Sequence, residues 1–131
     1  MLLAELSVAM GQNVYSGSIG QYKIHMVLDN KMQGYYSYDK NPNSHFKLLV
    51  SSEADCSDSD YYYDDIPMDG CARITLQEYA PGTGKNSGEF IGFLLSKYRN
   101  GYLITNYLGT FRNKANGKTY SFEVGFSEKI E

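Results

Sequence analysis

Residues 88–126 read GEFIGFLLSKYRNGYLITNYLGTFRNKANGKTYSFEVGF, three apolar-rich runs separated by two Asn-Gly pairs. Asn-Gly between alternating runs is a strong short-range signal for a β-hairpin, because the tight turn needs residues that tolerate positive φ. The first run, residues 88–96, is apolar on both faces, with Phe90 and Leu94 on one and Ile91, Phe93 and Leu95 on the other. The second, residues 102–113, keeps Leu103, Tyr107 and Phe111 in phase, and the third, residues 118–126, keeps Tyr120, Phe122, Val124 and Phe126 in phase. A period of two over this length predicts three consecutive antiparallel strands.

The same pattern extends toward the N-terminus. Residues 14–18 form a short run, and Gly20 turns it into residues 22–29, where Tyr22, Ile24, Met26 and Leu28 share one face and Lys23 and His25 the other. Asp29, Asn30 and Lys31 turn the chain into the tyrosine-rich residues 33–39, and turn chemistry returns at residues 40–44. Phe46, Leu48 and Val50 then alternate with Lys47, Leu49 and Ser51, and further on Ala72, Ile74 and Leu76 alternate with Arg73, Thr75 and Gln77. Eight strands joined mainly by tight turns predict an all-β, antiparallel up-and-down meander. Pairing the first strand with the last would close it into a small barrel and remove both exposed edges. Gly88, Gly92 and Gly109 suit the bends that closure requires, or else mark ordinary bulges.

Several short elements carry a resemblance. They are Tyr15-Ser16-Gly17-Ser18-Ile19-Gly20 before the Ile24/Met26/Leu28 run, then Gly34-Tyr35-Tyr36-Ser37-Tyr38, and Ile74-Thr75-Leu76-Gln77-Glu78. Ser87-Gly88-Glu89-Phe90-Ile91-Gly92-Phe93, Leu108-Gly109-Thr110-Phe111 and Asn116-Gly117-Lys118 before the Phe122 run complete the set. Together they resemble small exported bacterial domains with a lipocalin- or avidin-like barrel, most of which have no assigned function. The resemblance implies a barrel fold and export, and it transfers no catalytic residue. The chain has no Trp, so the Gly-x-Trp signature of true lipocalins is missing, and the long acidic loop lies outside the compact pattern.

That loop, residues 53–69, reads EADCSDSDYYYDDIPMD and holds seven carboxylates with no Lys or Arg. Residues 1–80 carry five basic and eleven acidic side chains, and residues 81–131 carry seven and four. Cys56 and Cys71 flank the acidic stretch. In an exported protein they would pair, and closing a loop of that size stabilises by roughly 3 kcal/mol; in a cytosolic protein they would be unrelated thiols. Their spacing is not that of a zinc site. Asp58 and Asp60 alternate as calcium ligands can, but the loop lacks the glycine and the bidentate Glu of an EF-hand, so no metal is expected. Asp58, Asp60, Tyr61, Tyr62, Tyr63, Asp64 and Asp65 are the candidate binding residues: three adjacent tyrosines offer rigid contact area and the carboxylates would steer a basic protein. The bland alternative is a solvated insertion.

Residues 1–12, MLLAELSVAMGQ, read as the remnant of a secretory signal or as a short amphipathic helix with Leu2, Leu3, Leu6 and Met10 on one face, ahead of a single domain over residues 13–131. The chain of 131 residues is long enough for one core. A net charge of −3 argues against nucleic acid, and no apolar run reaches the length of a membrane helix. His25 and His45 stand in no nucleophile-elbow, HExxH or phosphate-loop context, so no catalytic residue and no cofactor is expected. Lys97, Arg99, Arg112, Lys114 and Lys118 gather near hairpin turns, as a solvated rim or a weak anion site at one barrel mouth. The expected function is a non-enzymatic, periplasmic or secreted binding module for a small ligand or an envelope component. The alternatives are an inhibitor or immunity-type protein presenting the acidic loop to a basic enzyme, and a small hydrolase.

Overall fold

A computed structural model describes residues 12–130. The leader reading of residues 1–12 therefore falls outside the described residues, apart from Gln12, which opens the first strand. The strands are β1 (Gln12–Ile19), β2 (Tyr22–Asp29), β3 (Gly34–Tyr38), β4 (Phe46–Asp55), β5 (Tyr62–Tyr63), β6 (Ile66–Pro67), β7 (Gly70–Tyr79), β8 (Asn86–Arg99), β9 (Tyr102–Asn113) and β10 (Thr119–Lys129). Eight of them close a barrel in the order β1-β10-β9-β8-β7-β4-β3-β2, and β5 and β6 pair apart from it inside the acidic loop. Every barrel neighbour is antiparallel, and closure is made by Ser16↔Gly125 through Ile19↔Phe122. The expected meander and its closing seam are both present.

Turn chemistry explains the register. At the β8–β9 turn, Asn100 and Gly101 both take positive φ, 51° and 83°, the pair of conformations that a two-residue hairpin of the strand's own twist demands. The second Asn-Gly pair works differently: only Gly117 is left-handed, and Asn113 closes a longer loop by bonding Lys118 O at 2.9 Å. Glycine is also required where Gly92 of β8 pairs with Gly109 of β9. A Cβ on Gly109 would lie 2.1 Å from Ile91 O, and one on Gly92 would lie 2.3 Å from Leu108 O and 2.9 Å from the Phe122 ring. These two glycines therefore mark close approach. Gly88 instead borders a bulge, where the register skips Ser87 between Glu78↔Gly88 and Tyr79↔Asn86.

Alternation turns one face of each strand inward. Ile24, Met26 and Leu28 of β2, Tyr36 of β3, Leu48 of β4, Leu76 of β7, Phe90 of β8, Tyr107 of β9 and Val124 of β10 are all fully buried. Phe90 is the hub, with ring centroids 4.8 Å from Phe111, 5.0 Å from Phe122 and 5.3 Å from Tyr36. Tyr107 packs 4.8 Å from Phe122 and donates its hydroxyl to Ile74 O at 2.9 Å, so its one polar atom is satisfied inside the core. Aromatic side chains fill the middle of the barrel.

The connections sort onto two rims. The β1–β2, β3–β4, β7–β8 and β9–β10 turns form one, and the β2–β3, β4–β7 and β8–β9 connections form the other. Gln12, opposite Asp29, and Ile130, bonded to Gly101 O at 2.9 Å, lie at the second rim.

Candidate functional site

The first rim is hollow. A cavity of about 850 Å³ opens there, walled by Ile19, Tyr22, Tyr38, Phe111 and Tyr120. Gln21, Lys23, Asp39, Lys40 and Asn113 complete its polar edge. Strand phase explains the wall: Tyr22, Tyr38 and Tyr120 are the inward-facing residues nearest the rim of β2, β3 and β10, one step beyond the filled core. Tyr22 is 48% exposed and meets Tyr38 edge-on with centroids 6.3 Å apart. Left-handed Gly20 bonds Ser121 O at 2.7 Å, and the Tyr120 ring lies 3.6 Å from where a Gly20 side chain would begin. Burial holds the Tyr38 hydroxyl above the ordinary phenol range, and Glu78, Tyr120 and Tyr22 act in the same direction. The mouth presents tyrosine hydroxyls over an apolar floor.

Beneath that floor lies a group that the sequence reading passed over. Glu78 is only 3% exposed. Its carboxylate accepts the Tyr36 hydroxyl and, at 2.6 Å, the Ser87 hydroxyl. The bulge at Ser87 delivers that second donor, since an extra residue re-aims the side chain it carries. A Cβ on Gly88 would lie 2.7 Å from the Phe111 ring and 3.0 Å from Glu78 Oε2, so the missing side chain leaves room for both. Burial pushes the Glu78 carboxyl above its usual range despite the two donated bonds. Burial and then Glu78 hold the Tyr36 phenol far above its own. The signal was present in the sequence: Glu78 continues the inward phase of Ile74 and Leu76.

The acidic loop belongs to the opposite rim. Cys56 and Cys71 form a disulfide with Cα atoms 6.0 Å apart, tying the end of β4 to the start of β7. Asp58 and Asp60 fall in a single 3-10 turn, Asp58–Tyr61. Bonds from the Ser57 backbone and side chain hold the Asp60 carboxyl below its usual value. Tyr62 and Tyr63 form β5, and Asp64 and Asp65 make the tight turn to β6 with φ of 50° and 63°. The three tyrosines do not form one exposed face: Tyr62 is 58% exposed, whereas Tyr61 and Tyr63 are half-buried. The Glu123 carboxylate is the main influence raising the Tyr63 phenol, which places that hydroxyl against β10. Leu95 faces outward beside Cys71 yet is only 5% exposed, and Asp69 bonds Ser96 O at 2.8 Å. The loop thus lies down over the outer wall rather than standing off it. Among the described residues no cluster of three His, Cys, Asp or Glu is set to hold a metal ion.

The remaining candidates scatter. Exposed His25 bonds Asp39 at 2.5 Å, and His45 stacks on Tyr35 with centroids 4.4 Å apart. Of the late cations, Lys97 and Arg99 lie toward the disulfide rim. Arg112 pairs with Glu89 at 2.6 Å, and Lys114 bonds Gln77 and Asn86 at 2.9 and 2.5 Å on the outer wall. The lysines at the cavity are instead Lys23 and Lys40. No helix among the described residues is long and apolar enough to cross a membrane. Compared with protein families, curated proteins and solved structures, the chain matches none.

Proposed function

We propose that the protein is a non-catalytic binding module that takes a small ligand with an apolar or aromatic body at the tyrosine-lined mouth of its barrel. The observation that carries this reading is the cavity of about 850 Å³ above a filled core, a size within the roughly 300–1,000 Å³ range of small-molecule sites. Its walls supply what such ligands need, apolar rings for the body and a few hydroxyl and amide groups for orientation. The disulfide supports action in an oxidising compartment outside the cytosol, consistent with the resemblance to exported lipocalin- or avidin-like barrels. The test is a fragment titration followed by backbone amide NMR shifts. Shifts gathered at Ile19, Tyr22, Tyr38, Phe111 and Tyr120 are expected. Shifts confined to residues 56–69, or none, would refute the reading.

A second reading uses the other rim. Tyr62 and Ile66 are 58% and 45% exposed on the β5–β6 pair, which the disulfide holds in place. This favours an inhibitor-type contact with a basic enzyme, because a pre-ordered loop loses less entropy on docking. Pull-down with a basic hydrolase such as lysozyme should weaken on Tyr62→Ala. Equal capture by both proteins would eliminate this second reading.

A further inference from the structure

The cavity's edge carries an imbalance of charge that bears on what enters it. Lys23 and Lys40 both line the mouth. The Asp39 N–H donates to Lys23 O at 3.0 Å, which fixes the two lysines on the same side of the rim. The ion pairs among the described residues are His25–Asp39, Lys97–Asp69 and Arg112–Glu89, so neither of these lysines has a carboxylate partner there. Asp39, the one carboxylate on the cavity wall, is engaged by His25. The next acid, Glu78, lies behind Phe111 and is held toward its neutral form by burial. An apolar floor edged by two lysines that have no ion-pair partner among the described residues is a complement to a molecule with an apolar body and one negative head.

We infer that the mouth selects monomeric amphiphiles bearing a single anionic head, a carboxylate or a sulfate or phosphate monoester. The body lies on the tyrosine and phenylalanine rings, and the head lies at the Lys23–Lys40 side. This rests on the reading of the mouth as a ligand site and adds the class of ligand. Cations with the same body are disfavoured by the two lysines, although aromatic rings alone would attract them.

The experiment compares four probes sharing one octyl chain, below their micelle concentrations, on the disulfide-intact protein: octanoate, octyl sulfate, octanol and octyltrimethylammonium. Binding is read by calorimetry and by tyrosine fluorescence. The two anions should bind roughly fivefold tighter than octanol, the scale of two solvent-exposed charge contacts, and the margin should shrink as salt rises. The cation should bind more weakly than octanol. The Lys23→Gln, Lys40→Gln double variant should lose the margin and keep octanol affinity. Octanol binding as tightly as the anions, the cation binding best, or a margin that survives in the double variant would each overturn the inference while leaving a ligand site at the mouth. Co-sedimentation with phosphatidylglycerol vesicles without binding of the monomeric anions would also overturn it. Failure of all four probes, octanol included, would remove the ligand-site reading along with it.

Discussion

Replacing Glu78 by Gln keeps the shape of the side chain and removes its ability to ionise, which isolates the cost of a carboxyl buried at 3% exposure. A folded-state pKa raised above the unfolded value near 4.3 means that the native protein holds a proton that the unfolded chain gives up. Stability from this group is complete below the unfolded pKa, and it declines as pH rises until the folded pKa is passed. Each unit of upward shift corresponds to about 1.4 kcal/mol. At pH 4 the wild type should be equal to or slightly more stable than Glu78→Gln. The amide still accepts one hydroxyl but makes the other reorient, a cost on the order of 0.5–1.5 kcal/mol. With rising pH the wild type should lose ground to Glu78→Gln, because only the wild type loses stability through this site. Glu78→Leu supplies the control for hydrogen bonding. It strands the buried Tyr36 hydroxyl and the half-buried Ser87 hydroxyl, costing about 2–4 kcal/mol against wild type at pH 4, a deficit that narrows with rising pH in step with the Gln comparison. Asp60 and Glu89, both held low by hydrogen bonds, contribute stability above their unfolded values and lose it on acidification. They do so equally in all three proteins and cancel from the differences. The assay is urea unfolding at several pH values with the disulfide intact. A difference between wild type and Glu78→Gln that stays constant from pH 4 to 8 would refute the account of a carboxyl whose pKa is raised by burial.

Two further outcomes follow from the geometry. Replacing both Cys56 and Cys71 by Ser frees the loop that lies over Leu95 and should cost about 3 kcal/mol, read as a lower urea midpoint that matches wild type under reducing conditions. Gly109→Ala drives a methyl group toward Ile91 O, 2.1 Å from its ideal position. It should destabilise by more than the roughly 1–3 kcal/mol usual for overpacking, because backbone rather than a flexible side chain must move; thermal unfolding followed by circular dichroism checks it.

The strands were legible because a buried interior enforces a period of two, and the Asn-Gly pairs punctuated the last three of them. Closure was legible as well, since eight strands joined in sequence can satisfy their two edges by meeting. The site was less so. Periodicity marks Tyr22, Tyr38 and Tyr120 as inward, but it cannot say that they stand beyond the last filled layer, where inward means the wall of a hollow. Glu78 is in phase with Ile74 and Leu76, yet carboxylates are rarely buried, so phase alone does not mark it as inward. What made it tolerable was a bulge at Ser87, a feature of two strands together that one strand's sequence does not announce. The acidic loop drew attention through composition, and composition does not reveal that the loop lies down on the barrel wall, with Tyr63 turned toward Glu123.

Residues 12 and 130 both leave from the disulfide rim, while the cavity opens at the other. A bead, a fluorophore, a fused partner or a cell surface attached through either end would therefore hold the barrel with its hollow turned outward to the medium. Immobilising the protein for binding measurements through either end of the described span should leave the cavity unobstructed.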